Sequence, residues 1–106
     1  MTSEDLLENK QFIMNAEQSI RAANQEVINP IVGHLSEGVV VEIAIEVAKR
    51  RAAYVQATLK LGQRGEHQPT GAELKELRLE YEETRDAFDA FMAAIERGYV
   101  EIPDHL

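Results

Sequence analysis

Residues 70–98 read TGAELKELRLEYEETRDAFDAFMAAIERG and carry the strongest secondary-structure signal in the chain. Thr70 followed by Glu73 has the spacing of a capping box, in which side chains satisfy the unpaired amides of a helix start. After it, mostly apolar residues recur at intervals of three and four, the period of one helix face. They are Leu74, Leu77, Tyr81, Thr84, Phe88, Phe91 and Ile95. The pattern predicts a helix over 71–97 that Gly98 ends.

Residues 37–61 contain two competing patterns. Between 39 and 47, β-branched residues alternate with others, which is typical of a strand. A longer polar stripe steps by fours and threes, and only a helix places such residues on one face. The stripe consists of Glu42, Glu46, Lys49, Ala53, Gln56 and Lys60. We therefore predict a helix over 37–61, capped by Gly62, and expect it to be the most buried helix because nearly everything off the stripe is apolar or small.

The first segment also has a helical period. Leu6, Ile13, Ile20 and Val27 recur every seven residues, and Asn9, Ala16 and Ala23 follow the first three of them at a distance of three. We predict a helix over 3–28 that begins at Ser3 as its cap. Asn29-Pro30 is expected to end it, because the residue before a proline is disfavoured in the helical conformation.

Together these segments predict an all-α fold: a small three-helix bundle built on an antiparallel helical hairpin, with an extended C-terminal tail. The whole chain, 1–106, is expected to form a single helical domain. The last two helices would form the hairpin, joined by a mobile loop over 62–70, and the first helix would pack across it. In the tail over 98–106, Tyr99, Val100 or Ile102 would dock on the bundle. The predicted core residues are Ile13, Ile20, Ile43, Val47, Tyr54, Leu59, Phe88 and Phe91.

Composition excludes several functional classes. The 106 residues include 11 Lys and Arg against 19 Asp and Glu, so the net charge is −8 and direct nucleic-acid binding is not expected. The absence of cysteine excludes disulfides, thiolate nucleophiles and zinc–cysteine sites. The longest run without a charged residue, Val27–Ser36, is too short for a membrane span, and the acidic start does not resemble a secretory signal. We expect a cytoplasmic protein without membrane contact.

No motif for catalysis is present, so we expect a non-enzyme without cofactor or metal. A di-iron bundle needs Glu three residues before His, and His34, His67 and His105 lack it. Glu42 and Glu46 are spaced to share a cation, but Glu46 also lies four residues before Arg50, which favours a surface ion pair.

The outward face of the third helix is rich in carboxylates. They are Glu76, Glu82, Glu83, Asp86, Asp89 and Glu96. A dense line of carboxylates can imitate a phosphate backbone and block a basic groove on another protein. The alternative is a solvated face that keeps a small domain soluble, and Lys75 and Arg97 dilute the acidic character.

The edges of the same helix carry charges of opposite sign. If Leu74 is heptad position a, Glu73 and Glu80 occupy g while Arg78 and Arg85 occupy e. In a parallel coiled coil, g pairs with the e position five residues later on the partner, so two copies would form Glu73–Arg78 and Glu80–Arg85 pairs. The alternative is an intramolecular bundle with charged edges.

These features predict a non-catalytic protein–protein interaction or assembly module, an adaptor that acts through helix faces on an unidentified protein partner or as a homodimer. The alternative is a small acidic inhibitor, a nucleic-acid mimic.

Overall fold

The computed structural model describes residues 2–33, 35–65 and 67–102 and is all-α within them. Its helices are α1 (Ser3–Val32), α2 (Glu37–Lys60) and α3 (Gly71–Glu96). The described residues contain no strand, so the helical prediction for 39–47 is confirmed. Among the same residues, no helix has both the length and the apolar character that crossing a bilayer requires.

α1 begins at Ser3, the predicted start, but its cap is Thr2 and not Ser3. The Thr2 hydroxyl accepts a hydrogen bond from the Asp5 backbone N–H at 3.1 Å. The Thr2 backbone N–H donates in return to the Asp5 carboxylate at 3.2 Å. This reciprocal pair is a capping box, and a cap at Ser3 would leave the Asp5 carboxylate without it.

The prediction that Asn29-Pro30 ends α1 is wrong. Pro30 lies inside the helix, which continues to Val32. A proline in the last turn removes one backbone N–H donor, and the helix continues past it. The helix ends at the first residue that leaves the helical conformation. That residue is Gly33, with φ of 69°, and its N–H bonds to the Asn29 carbonyl at 2.9 Å.

α2 begins where predicted, with Ser36 accepting a hydrogen bond from the Val39 N–H at 3.3 Å. Its predicted glycine cap is wrong. Leu61 keeps a helical conformation (φ −61°), and Gly62 continues in a tightened turn by donating to the Leu59 carbonyl. The glycine with positive φ in this loop is Gly65, at 81°. The tightened turn satisfies the last carbonyls of α2, so no glycine with positive φ is needed at position 62.

α3 agrees with the prediction at both ends. The Thr70 hydroxyl accepts from the Glu73 N–H at 3.1 Å, as the capping box requires. Gly98 has φ of 74° and follows the helix end at Glu96, one residue before the predicted boundary.

The chain divides into two compact units. One comprises Met1–Leu35 with Ala93–Leu106, and the other comprises Ser36–Met92. In the first unit the tail docks on α1: Gln25 donates to the Gly98 carbonyl at 2.7 Å, and the Glu101 N–H donates to the Asn29 side chain at 3.1 Å. Of the three tail residues predicted to dock on the bundle, Val100 is buried, at only 5% exposure. Residues 103–106 lie outside the described part.

In the second unit α2 contacts α3 through aromatic side chains. The rings of Tyr54 and Tyr81 stack with centroids 6.4 Å apart. α2 contains two buried residues, Val47 and Ala57, whereas α1 and α3 contain none. The prediction that α2 is the most buried helix is confirmed.

The predicted core is only partly correct. Val47 is buried, and Ile43, Tyr54, Phe88 and Phe91 are half-buried. Ile13, Ile20 and Leu59 were predicted to be core residues and are instead 53%, 49% and 62% exposed. Periodicity identifies an apolar face, but burial also requires a neighbouring element to cover that face.

Candidate interaction surfaces

A cluster of two arginines and two tyrosines joins α2 to α3, and we call it the Tyr81 cluster. The guanidinium groups of Arg51 and Arg85 each lie 5.3 Å from the centre of the Tyr81 ring. Arg51 also donates a hydrogen bond through Nε to the Tyr81 hydroxyl at 3.2 Å. Tyr54 stacks on the same ring. The aromatic face attracts both cations through its quadrupole, so one ring organises charges from two helices.

The two arginines change the acidity of the cluster. The hydrogen bond from Arg51, followed by the interaction with Arg85, lowers the pKa of Tyr81 below its ordinary value of 10.0. Hydrogen bonding to Tyr81 and then to Asp86 raises the pKa of Arg85. Both shifts favour the charged form of their group.

The four edge residues of α3 differ in their surroundings. Glu73 is exposed, and its carboxylate lies 3.8 Å from His67 Nε2. Arg78 is exposed and borders a groove with Tyr54 and Leu74. Glu80 is exposed, and its carbonyl accepts from the Thr84 hydroxyl at 2.8 Å. Arg85 is half-buried and pairs with Asp86 at 3.2 Å.

The carboxylates of the predicted acidic face are also unequal. Glu83, Asp86 and Asp89 are exposed at intervals of three, whereas Glu82 is half-buried. Glu80 and Glu83 border a groove of about 440 Å³ together with Arg50, Leu79 and Thr84. The structure therefore places Arg50 of α2 at the same groove as Glu83 of the acidic face and Glu80 of the α3 edge.

The most exposed apolar face lies on α1. We define the α1 seam as Leu6, Ile13, Ile20 and Val27 with the small residues Asn9, Ala16 and Ala23. The four large members are 49% to 65% exposed. Three large apolar side chains beside the seam are also exposed: Leu7 at 69%, Phe12 at 74% and Met14 at 62%. All of these side chains belong to a helix that has no buried residue.

The Glu46–Arg50 ion pair predicted from spacing is confirmed, with 3.0 Å between the carboxylate and the guanidinium. Lys49 contacts the same carboxylate at 3.2 Å. Hydrogen bonds from Lys49 and Arg50 lower the pKa of Glu46. No group of three or more His, Asp or Glu side chains arranged for a metal occurs within residues 2–33, 35–65 and 67–102.

Sequence reasoning missed the Tyr81 cluster, although its parts left a signal. Tyr81 and Arg85 are four residues apart, as are helical neighbours, and Arg51 and Tyr54 are three apart. These spacings do not show which α3 residue faces Arg51, so the sequence alone does not bring the two pairs together.

The chain matches no protein-family model, no curated protein and no solved structure.

Proposed function

We propose that this protein is a non-catalytic interaction module, an adaptor or assembly component that binds protein through its helix faces. The observation that carries the proposal is α1, a helix of 30 residues without a buried residue. Burial of apolar surface is the main favourable contribution to the free energy of protein association. A protein partner that covers this face gains that contribution by removing Leu6, Phe12, Ile13 and Met14 from water.

We also propose that α2 and α3 form an antiparallel hairpin, the base of the predicted bundle. Contacts within their unit support this arrangement. Arg50 borders a groove with Glu83 and Thr84, whereas Tyr54, one turn later in α2, borders a groove with Gly71 and Leu74. Advancing along α2 therefore corresponds to moving back along α3, as antiparallel neighbours require.

A parallel α3 pair is the form of homodimer that the edge charges of α3 favour. It would join Glu73 to Arg78 and Glu80 to Arg85 of the second copy. Its central position Tyr81 already contacts Tyr54, so pairing through α3 competes with packing against α2. The charge swap Glu80→Arg with Arg85→Glu tests it, because the double variant restores what either single variant breaks.

Two measurements test the proposed function: the absolute mass of the protein in solution, and the binding of a partner protein to the immobilised chain. We expect light scattering after size exclusion to give about 24 kDa, twice the chain mass of 11.9 kDa, or an immobilised chain to retain a partner protein. Ile13→Asp should abolish association through α1 while leaving helicity unchanged, because this side chain is exposed. Gln18→Asp is the matched control. A mass near 12 kDa at every concentration, with no partner retained, contradicts the proposal.

The second candidate is an acidic inhibitor of a basic nucleic-acid-binding protein, favoured by the exposed line of Glu83, Asp86 and Asp89. A protein captured by the immobilised chain should then be displaced by double-stranded DNA. Reversing Glu82, Glu83 and Asp86 to Lys should abolish its capture. Reversing Glu8, Glu37 and Glu42 changes the net charge equally and should not. Equal capture by both triple variants would remove this candidate.

A further inference from the structure

We infer that the α1 seam docks on the α1 seam of a second copy in antiparallel orientation. This inference rests on the proposed function and specifies the occupant, the face and the register.

The tail of the same unit leaves most of the α1 seam exposed: Ile20 borders a groove with Arg97 and Tyr99 but is still 49% exposed. Tail contacts involve Arg21, Gln25 and Asn29, which follow one another at intervals of four. At about 100° per residue, the centre of this stripe lies about 150° from the centre of the α1 seam, on nearly the opposite side of the helix. Tail docking and pairing through the α1 seam are therefore compatible.

The sizes of the side chains favour an antiparallel pair. In a parallel pair, Ile13 would face Ile13 and Ala16 would face Ala16, so wide and narrow layers would alternate and leave gaps. In an antiparallel pair, position a faces position d of the second copy. Ile13 then faces Ala16 and Leu6 faces Ala23, so every layer combines a large residue with a small one and the helices approach closely.

The flanking charges select one register. When Ile13 faces Ala16, Lys10 lies beside Glu17 of the second copy, and symmetry repeats the pair. A shift by one heptad in either direction instead sets Lys10 beside Lys10 or Glu17 beside Glu17, which is repulsive. The selected register also sets Asp5 beside Glu26, at the two ends of the interface where solvent screens the repulsion.

A second copy fits α1 better than it fits α3. In α3 the central residue Tyr81 is half-buried against Tyr54 and holds Arg51 and Arg85. In α1 the corresponding positions Ile13 and Ile20 are about half exposed. Pairing through α1 buries apolar surface without displacing a contact of the Tyr81 cluster.

Charge reversal tests the register. We expect wild-type protein to dimerise, and Lys10→Glu or Glu17→Lys to weaken the dimer about tenfold by sedimentation equilibrium, since each creates two like-charge pairs. The double reversal should return to within about threefold of wild type. Glu8→Lys makes the same charge change as Glu17→Lys away from the α1 seam and is the matched control. Circular dichroism verifies that all variants stay helical.

Spin labels test the orientation. The chain has no cysteine, so Glu4→Cys and Asn15→Cys each provide one label site per copy. In the antiparallel register the two-fold axis passes beside residue 15, so the Asn15→Cys labels should be close. The Glu4→Cys labels should lie about 30 Å apart along the helix axis, at 1.5 Å per residue. A parallel pair gives no axial separation at either site.

Several outcomes overturn the inference. It fails if the wild-type chain is monomeric at all concentrations, if Lys10→Glu and Glu17→Lys weaken the dimer no more than Glu8→Lys, or if the Glu4→Cys labels are close. A dimer that responds to Glu80→Arg but not to Lys10→Glu places the interface on α3; the inference then fails while the proposed function stands. A monomer that retains no partner defeats both.

Discussion

Tyr81 is the residue on which the contact between α2 and α3 is centred. Its ring receives two guanidinium groups, one from each helix, and its hydroxyl accepts a hydrogen bond from Arg51. Since both neighbours are permanently charged, they stabilise the phenolate form and lower the pKa of Tyr81.

The first prediction concerns the ionisation of Tyr81. The difference in absorbance near 295 nm between wild type and Tyr81→Phe should titrate with a midpoint below 10, and Arg51→Met should raise that midpoint. Because the pKa of Tyr81 is lower in the folded chain than in the unfolded chain, ionisation of Tyr81 stabilises the folded state only at high pH and contributes nothing at neutral pH. This stabilisation grows as the pH rises through the pKa of the folded chain and is complete above the pKa of the unfolded chain. A midpoint that Arg51→Met leaves unchanged would contradict the role of Arg51.

Gly98 joins α3 to the tail in a conformation that other residues rarely adopt. Its φ is 74°, and an added Cβ would lie 3.0 Å from Cδ of Arg21. We predict that Gly98→Ala destabilises the fold by about 1–2 kcal/mol in urea unfolding, through backbone strain and displacement of Arg21. Gly62→Ala is the control, because the φ of Gly62 is not positive and an added Cβ would lie 3.9 Å from the Leu59 carbonyl oxygen. Equal stability of the two variants contradicts the prediction.

At the scale of the element, α1 shows how a proline within a helix is tolerated. Pro30 lies in the last turn, and Gly33 ends the helix three residues after it. The sequence rule that a proline ends a helix is reliable in the middle of a helix, where a hydrogen bond and close packing are both lost. Near the C-terminus little helix remains to be disrupted.

The third prediction tests the cost of Pro30. Pro30→Ala restores the N–H that can bond to the Glu26 carbonyl, and we expect a gain of about 1 kcal/mol in urea unfolding after the entropy of the more flexible unfolded chain is subtracted. Pro69→Ala, which lies before α3 and outside any helix, should show no gain. A Pro30→Ala variant no more stable than Pro69→Ala would show that the last turn of α1 contributes little.

α2 shows which local signal prevails when two disagree. The alternation of β-branched residues over 39–47 covers nine residues, whereas the polar stripe continues to Lys60. The helical period extends over more residues, and each added turn contributes its own backbone hydrogen bonds. β-branched residues lower helix propensity only slightly, so the longer pattern prevails.

At the scale of the whole molecule, pairing of two copies links stability to concentration. If folded chains associate, the Tm of the wild type should rise with protein concentration, because dimerisation binds the native state and not the unfolded one. Ile13→Asp should make Tm independent of concentration, and Gln18→Asp should not. A wild-type Tm that is constant over a hundredfold range of concentration contradicts self-association.

The helical class, the three helices and most of their ends follow from local sequence, because caps, hydrogen bonds and periodicity act over four residues or fewer. Thr70 with Glu73 and the glycine at 98 are examples. Tertiary structure alone decided which apolar side chains are covered: Val100 is buried, while Ile13 and Ile20 are exposed. It alone brought Arg51 to Tyr81, 30 residues away. Such contacts depend on how whole elements pack, and a repeat along one helix contains no information about its neighbour.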